Sequence, residues 1–566
     1  MNNVIYLILR RLRLPLILLI SVYAVSVAGL TLIPGRDDQG NLWHMDFFHA
    51  FYVVSYMGST IGFGEIPYPF TEAQRMWVTF SIYITVTAWL YGIGNILSLV
   101  QDKNFRHVLA FTLFSRKVRS LREPFYLICG YGDTGRLLVA ELARRHIACA
   151  VIDSDESCIQ ALELEDLPVL TPGFSANAQA ADILTAAGLD HAYCRGIVAL
   201  TPDDSVNLKI AITAKLLRPG LQVICRSESE DTAANMASFG TDHIVNPFHV
   251  FADSFAMTFN SPSMHLVFEW VTAMHDQPLE DFVTPPIGDW VLCGYGRFGK
   301  VIYNRLRQEG IPVTVVEAMP HRTNPPQGTI QGRGTEASTL NQAGIHEAVG
   351  IIAGTNDDAN NLSILMTAAD INRKLFTVAR LNEENNQPIF DAYGPDFLMQ
   401  PSRITAQRIL SLIITPLLND FLKLARRQDE DWANILVSSV AGLVADSSPE
   451  TWAVRVDQDQ APAIIELSNE GHPCQIEHVL HNPHQSNERL TCIPLMLKRR
   501  GYESLSPDLE LILQPGDEIL FCGTNEAHDL QKLSLANYNM LSYVVLHEDR
   551  PAGTVWRWLH KQSQGA

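Results

Sequence analysis

Residues 127–135 read LICGYGDTG, and residues 291–299 repeat the pattern as VLCGYGRFG. In both copies an apolar stretch, predicted as a strand, runs into a glycine-rich turn that opens a predicted helix. Each helix leads to a second predicted strand that ends in an acid, Asp153 in the first copy and Glu317 in the second. Strand, glycine turn, helix, strand and terminal acid together form the fingerprint of a dinucleotide-binding unit.

The glycine turns predict where a nucleotide would bind. Glycines let backbone N–H groups approach a pyrophosphate at the N-terminus of a helix, and the acid accepts hydrogen bonds from a ribose. The two helices are predicted at 137–145 and 301–308. Glycines retained only for packing are the alternative, and Arg297 would either reach a phosphate or lie in solvent. The candidate nucleotide-binding residues are Gly130, Tyr131, Gly132, Asp133, Thr134, Gly135, Asp153 and Ser154, and then Gly294, Tyr295, Gly296, Arg297, Phe298, Gly299 and Glu317.

The duplication extends beyond the glycine turns. TPDD at 201–204 is matched by TNDD at 355–358. Alternating strands and helices predict two α/β lobes, each with a doubly wound parallel sheet. Apolar helical segments at 248–274 and 404–424 follow the two lobes as a further matched pair. From about residue 433 onward, β-branched alternation predicts a smaller α/β subdomain.

The N-terminal part of the chain has a different character. Residues 14–33 and 76–100 contain no Asp, Glu, Lys or Arg, and each stretch is long enough for a helix to cross a bilayer. A signal peptide is the rival interpretation of the first stretch, but its apolar core is too long for one. Basic residues precede the first stretch and follow the second, so the positive-inside rule predicts that both termini are cytoplasmic.

A short loop between the two spans carries the second functional signal. Its residues are Thr60, Ile61, Gly62, Phe63 and Gly64. Glycines at alternate positions allow left-handed backbone angles that turn successive carbonyl oxygens the same way. Such oxygens replace the water shell of K⁺ in a selectivity filter, with K⁺ held at Thr60, Ile61, Gly62 and Phe63. We call residues 60–64 the filter loop.

The filter loop also predicts an assembly. Asp46 is placed to cap a short uncharged helix that runs from residue 47 to about residue 56, and irregular backbone at membrane depth must be buried or line a cavity. One chain supplies only one strand of a filter, so about four copies must surround the ion. The sequence therefore predicts a homotetramer in a lipid bilayer.

Residues 14–100 resemble the pore module of prokaryotic two-span potassium channels. The lobes at about 124–247 and 288–401 resemble the RCK (regulator of potassium conductance) family, also called KTN or TrkA-N-like. This resemblance implies a potassium channel with an eight-lobe cytoplasmic gating ring that binds a nucleotide, NAD(H) first and ADP or ATP next. It implies that Gly92 and Gly94 form a gating hinge, with close helix packing as the alternative.

The sequence departs from the family pattern at several positions. Phe63 replaces the commoner Tyr, and Glu65 replaces the usual Asp behind the filter, which leaves the stability of the filter open. Related rings bind Ca²⁺ through acids at strand ends. Here Ala199 and Arg226 occupy two such positions and only Glu228 fits, so the family-type calcium site is not matched although another Ca²⁺ site stays possible.

These patterns predict seven segments. They are a cytoplasmic N-terminus at 1–13, a pore domain at 14–100, a linker at 101–123, a first RCK domain with crossover helices at 124–287, a second at 288–428, a C-terminal RCK-C-like subdomain at 429–550 and a tail at 551–566.

Composition narrows the class of protein. A net charge of −19 argues against a nucleic-acid partner, and nine cysteines without a CxxC pair are typical of reduced cytosolic thiols. We expect a potassium-selective channel of the plasma or inner membrane, with no catalytic residues and no enzyme activity. A membrane-anchored NAD-dependent oxidoreductase would need an acid–base constellation, which the sequence does not reveal. An anchored regulatory subunit of a potassium transporter would leave the filter loop unexplained.

Overall fold

The computed structural model describes residues 2–274, 283–444 and 448–547. The chain divides into two compact units, Met1–Ser120 and Leu121–Ala566. The predicted tail at 551–566 lies outside the described residues.

The first unit is helical. Two of its helices are long and apolar enough to cross a membrane, over Leu12–Leu32 and Glu72–Gln101, and only 22% and 17% of their most apolar windows are buried. Such exposure distinguishes them from the core helices of a soluble domain. The elements are α1 (Asn2–Leu32), β1 (Gly35–Arg36), β2 (Leu42–Trp43), α2 (Phe47–Gly58), α3 (Glu72–Gln101) and α4 (Lys103–Arg119).

Close packing joins α1 to α3. A Cβ added at Gly29 would lie 2.0 Å from the Trp77 ring, so the two helices approach as closely as glycine allows. The Trp77 indole N–H donates to the carbonyl of Ser26 at 3.0 Å. Asp46 caps the short helix α2 as predicted, and its carboxylate accepts from the backbone N–H of His49 at 2.8 Å.

The first lobe is a six-stranded parallel sheet with the strand order β5-β4-β3-β6-β7-β8. Two helices, α10 and α11, follow the sheet. The elements are β3 (Phe125–Cys129), α5 (Asp133–Arg144), β4 (Ala148–Asp153), α6 (Glu156–Leu164), β5 (Gly173–Ser175), α7 (Ala181–Ala186), β6 (Cys194–Ala199), α8 (Asp204–Leu217), β7 (Gln222–Arg226), α9 (Glu230–Ser238), β8 (His243–Val245), α10 (Pro247–Asn260) and α11 (Pro262–Thr272).

The second lobe repeats this topology with the strand order β11-β10-β9-β12-β13-β14. Both lobes are therefore doubly wound α/β units, as predicted. The elements are β9 (Trp290–Cys293), α12 (Arg297–Gln308), β10 (Val313–Glu317), α13 (Pro320–Thr323), β11 (Ile330–Gln331), α14 (Ala337–Gln342), β12 (Gly350–Ala353), α15 (Asp358–Ile371), β13 (Phe376–Arg380), a 3₁₀ turn (Glu384–Asn386), α16 (Gln387–Tyr393), β14 (Phe397–Met399), α17 (Pro401–Ile414) and α18 (Pro416–Ala425).

The C-terminal subdomain has a mixed α/β fold. Its main sheet is antiparallel, with the strand order β15-β20-β18-β19. The elements are α19 (Glu430–Ala441), β15 (Glu450–Arg455), α20 (Pro462–Asn469), a 3₁₀ turn (Glu477–Leu480), β16 (His481–Asn482), β17 (Gln485–Arg489), β18 (Cys492–Arg499), β19 (Tyr502–Leu505), β20 (Glu518–Gly523), α21 (Asn525–Ala536) and α22 (Tyr538–Leu546).

The crossover helices, which we define as α10, α11, α17 and α18, are exchanged between the lobes. From α10, the buried residues Phe248, Phe251 and Phe255 pack in the core of the second lobe. From α17, Ala406 and Ile409 pack in the core of the first lobe. Each lobe therefore completes its core with a helix that follows the other lobe's sheet.

Helices α5 and α12 begin four residues earlier than predicted, inside the glycine motif. Gly132 and Gly296 are their N-cap residues, so the third glycine of each motif lies within the first helical turn. A Cβ at Gly135 would lie 2.1 Å from the carbonyl oxygen of Gly130. Helix and strand therefore meet at a distance that only glycine permits.

We expect Gly135→Ala to lower the free energy of unfolding by about 1–3 kcal/mol, because its methyl group would overlap backbone that cannot move aside. Chemical denaturation of the purified protein measures this loss. Gly220→Ala is the matched control, since a Cβ at Gly220 meets no atom within 4 Å. Equal stability of the two variants would contradict the close approach.

Candidate functional site

The filter loop has alternating backbone geometry. The φ angles of Thr60, Gly62 and Gly64 are +62°, +65° and +99°, whereas Ile61 and Phe63 between them do not have positive φ. The N–H groups of Ile61 and Gly62 both donate to the carbonyl of Tyr56, at 3.0 and 3.4 Å. Left-handed angles at alternate residues are what an alignment of successive carbonyl oxygens requires.

Hydrogen bonds from neighbouring residues stabilise the filter loop and the adjacent Glu65. The Tyr56 hydroxyl donates to the carbonyl of Gly64. The Glu65 carboxylate accepts from Arg75 Nε at 2.8 Å and Nη2 at 3.1 Å, and from the Phe70 backbone N–H at 2.9 Å. Sequence reasoning missed Arg75 and Tyr56, because nothing in their spacing from the loop marks them as partners. The bidentate pair with Arg75 gives the longer Glu65 side chain a partner of fixed geometry.

Within one chain, the side chains of Ile61 and Phe63 in the filter loop are largely uncovered. Ile61 and Phe63 are 62% and 60% exposed, and a Cβ added at Gly62 or Gly64 would meet no atom within 4 Å. The same open space surrounds Gly92 and Gly94 on α3. Close packing inside one chain therefore does not account for Gly92 and Gly94, and their hinge role remains a prediction.

The two glycine turns share one geometry. Gly130 and Gly294 have φ angles of +110° and +97°, which favour glycine. A Cβ added at Gly132 or Gly296 would meet no atom within 4 Å, and neither N-cap glycine offers a side chain to the first N–H groups of its helix. Each turn therefore presents open backbone donors at a helix N-terminus, where an anion is stabilised.

The acids at the strand ends accept hydrogen bonds from the backbone of these turns. Asp153 Oδ2 accepts from the N–H of Tyr131 at 2.6 Å, and Oδ1 accepts from Asp155 at 2.8 Å. In the second lobe, Glu317 accepts from the N–H of Tyr295 at 2.6 Å. Asp153 is partly exposed, whereas Glu317 is 6% exposed. Of the two carboxylates, Asp153 is the more accessible to a ligand.

The side chains of the remaining motif residues differ in their burial and in their contacts. The side chains of Thr134 and Phe298 are buried, and Phe298 packs against Phe248 with ring centroids 5.7 Å apart. These two residues therefore offer a ligand only their backbone. The Tyr131 hydroxyl donates to Glu165 at 2.9 Å, and burial together with this carboxylate raises the pKa of Tyr131. Ser154 is exposed beside Asp153.

Charges from the two lobes meet at the second glycine turn. Arg297 Nη2 lies 2.9 Å from Oε2 of the buried Glu228 in the first lobe, and Arg226 donates to the other oxygen of the same carboxylate. Arg380 lies over the Phe248 ring at 4.9 Å, and burial lowers its pKa to about 10. The one acid retained from the family's calcium positions is thus engaged by arginines.

The first glycine turn has the opposite charge. Asp133 Oδ2 accepts from the backbone N–H of Glu384 in the second lobe at 3.2 Å. Burial and the nearby Asp133 carboxylate raise the pKa of Glu384. The equivalent first residues of the two helices, Asp133 and Arg297, therefore have opposite charge, and Arg136 and Arg403 also act on Glu384 beside the first turn.

A double-mutant cycle on Arg297→Gln and Glu228→Gln tests the contact between the lobes. We expect a coupling energy of about 1 kcal/mol, because one partner is exposed and solvent screens the pair. Unfolding of the purified protein at low and high salt measures it. Lys300→Gln, on the exposed side of the same helix, is the control and should show no coupling to Glu228→Gln. Equal coupling from both cations would contradict a specific pair.

Known proteins of potassium transport are similar to this chain in sequence. The TrkA-N domain model matches residues 126–247 and 290–401. Potassium channel protein 1 of Methanocaldococcus jannaschii is 31% identical over 206 residues, which cover 36% of this chain and 60% of that protein. A Trk system potassium uptake protein TrkA homolog of Methanothermobacter thermautotrophicus is 30% identical over 148 residues, which cover 25% of this chain and 67% of the homolog.

The fold also matches a solved structure. The GsuK channel superposes with a TM-score of 0.50 at 17% sequence identity, over 94% of this chain and 99% of that one. At this identity the match concerns the fold. The chain spans less than two thirds of the length of the M. jannaschii channel.

Proposed function

The chain belongs to the family of potassium channel and potassium uptake proteins that carry TrkA-N domains, and we propose that it is a potassium-selective channel regulated by a nucleotide. The filter loop carries this proposal. A loop with positive φ at Thr60, Gly62 and Gly64 lies between two exposed apolar helices of bilayer length. Main-chain oxygens aligned in this way replace the hydration shell of K⁺.

Assembly follows from the exposure of the pore unit. Phe47 and Phe48 on α2 are 71% and 72% exposed, in addition to Ile61 and Phe63. A filter strand facing lipid would leave its polar backbone without partners, which costs several kcal/mol per group. We propose a homotetramer in the cell membrane, in which neighbouring chains cover these residues and four chains contribute eight lobes.

The orientation in the membrane rests on charge. Arg10, Arg11 and Arg13 precede the apolar part of α1, and Arg116, Lys117 and Arg119 lie in the last turn of α4. By the positive-inside rule both ends of the pore unit face the cytoplasm. The TrkA-N lobes are then cytoplasmic, where nucleotides are available.

The charge around the first glycine turn bears on which nucleotide binds. Asp153 remains accessible to accept hydrogen bonds from a ribose. Asp133 and Glu384 lie beside the same turn, so a ligand with few phosphate charges is favoured over one with many. NAD carries fewer negative charges than ATP, and we assign NAD(H) to the first lobe. The second lobe is the weaker site for a ribose, because Glu317 is buried.

A modest ligand preference is sufficient for gating. Shifting a gate from 1:99 to 99:1 requires about 5.5 kcal/mol of differential binding. Spread over eight lobes this is about 0.7 kcal/mol for each, less than one hydrogen bond to a charged group contributes.

Rubidium flux into liposomes tests the pore. We expect the unaltered protein to pass Rb⁺ and to exclude Na⁺, and Gly62→Ala to abolish the flux because an L-residue is strained at a φ of +65°. Gly40→Ala is the control, since Gly40 also has positive φ (+82°) but lies outside the filter loop. Absence of flux in the unaltered protein would favour the oxidoreductase or the transporter subunit instead.

Calorimetric titration with NAD⁺ tests the regulatory site. We expect Asp153→Ala to raise the dissociation constant at least about ten-fold, since a hydrogen bond to a charged group contributes roughly 1.5–3 kcal/mol. The control is Asp155→Ala, which removes an exposed helix cap two residues away. Unchanged NAD⁺ binding and unchanged channel response in Asp153→Ala would remove this carboxylate from the site.

A further inference from the structure

A cavity of about 880 Å³ lies among the crossover helices. Its lining residues come mainly from β8, α10 and α11 and from α16, β14, α17 and α18. None of the candidate nucleotide-binding residues lines it. The volume falls within the range of pockets that hold small ligands, roughly 300–1,000 Å³.

One residue that lines the cavity is a buried amide without a hydrogen-bond partner in the described part of the chain. Asn419 on α18 is 6% exposed, and neither Oδ1 nor Nδ2 has a hydrogen-bond partner among the described residues. Buried amides in proteins almost always find a partner, because an unsatisfied one is destabilising. A ligand in the cavity would supply both a donor and an acceptor to this amide.

Two wall arginines lack partners as well. Within the described part of the chain, the side chains of Arg403 and Arg408 on α17 form no hydrogen bond and no ion pair within 4.0 Å. Burial lowers the pKa of Arg408, and the neighbouring Arg426 lowers it further. Two guanidinium groups without a direct ion pair in one partly enclosed cavity can both donate hydrogen bonds to an anion.

Five acids line the cavity, namely Asp242, Asp253, Glu269, Asp391 and Asp396, and three of them have partners other than Arg403 and Arg408. Asp242 contacts Lys215 at 2.7 Å, Asp253 contacts Arg426 at 3.3 Å, and Asp396 accepts from the backbone N–H of Thr377 at 2.7 Å. These three carboxylates therefore do not pair with the two arginines, and Asp391 is exposed to solvent.

Glu269 is a further acid of this wall. Its Oε1 accepts from the Ser254 hydroxyl at 3.1 Å. Burial raises its pKa, which the field of Arg403 opposes. The direct hydrogen bond of Glu269 is thus to Ser254 and not to Arg403 or Arg408.

We propose that this cavity binds a small organic anion that carries carboxylate or phosphate groups. Arg403 and Arg408 pair with its charge, and the Asn419 amide hydrogen-bonds to its body. Because the walls come from the crossover helices of both lobes, a bound anion would stabilise one arrangement of the lobes. This site shares no lining residue with the proposed nucleotide sites, and it stands whether or not NAD binds.

Titration of the full-length protein with citrate and with inorganic phosphate tests the proposal. We expect at least one of these probes to bind, and Arg403→Gln and Arg408→Gln each to weaken binding about ten-fold or more. Citrate binding alone would identify carboxylate recognition, and binding of both would identify a general anion site. Arg427→Gln, an exposed arginine next to Arg426 that does not line the cavity, should bind as the unaltered protein does.

Asn419→Leu separates a ligand site from simple packing. It removes the unsatisfied amide at similar volume, so the melting temperature of the ligand-free protein should rise, on the order of 2 °C, while anion binding weakens. Arg297→Gln removes the cation of the second glycine turn, so a loss of anion binding in this variant would show that the anion binds at that turn. The proposal is overturned if neither probe binds, if Arg408→Gln and Arg403→Gln bind normally, or if Arg297→Gln alone abolishes binding. Rubidium flux and NAD⁺ titration remain independent readouts of the pore and the nucleotide site.

Discussion

The exchange of crossover helices is the interaction on which the rest of the cytoplasmic unit depends. Phe248 and Phe255 of α10 are fully buried against Trp290 and Phe298 of the second lobe. Each such aromatic side chain contributes roughly 1.5–3 kcal/mol on burial, so neither lobe completes its core alone. The exchange holds the lobes at one separation, which allows Arg297 to reach Glu228. It also lines the cavity in which the Asn419 amide has no hydrogen-bond partner among the described residues.

The duplicated lobes keep their scaffold and differ in charge. Asn207 ties the loop after β6 to the end of β7, and Asn361 makes the equivalent bonds in the second lobe, to Arg380 O at 2.7 Å. These buried amides preserve the sheet edge, and a change there would leave several polar groups unsatisfied. The exposed position at the helix N-terminus is free of that constraint. There Asp133 and Arg297 give two equivalent turns opposite charge, and hence different ligand preferences.

The filter loop of the pore unit has a strained backbone and is only partly covered within one chain. Three of five filter-loop residues adopt left-handed angles, one of them Thr60, for which this conformation is unfavourable. The Glu65 carboxylate anchors the loop through Arg75 and the Phe70 backbone. The outer side remains open, since Ile61 and Phe63 are largely exposed. A neighbouring chain that covered these side chains would stabilise the loop further.

The sequence alone determined the architecture, because its signals are local and periodic. Uncharged runs of bilayer length predicted α1 and α3, and two glycine motifs with strand-end acids predicted both doubly wound sheets. The starts of α5 and α12 were misplaced by four residues, since the glycines that mark the turn also begin the helix. Only the tertiary structure decided what depends on long-range contacts. Arg75 braces Glu65, Glu317 is buried while Asp153 is not, Arg297 meets Glu228, and the crossover helices enclose a charged cavity. The Glu65–Arg75 pair spans only ten residues, and the others join residues farther apart in the chain. Side-chain packing sets all of these contacts, and sequence spacing does not encode them.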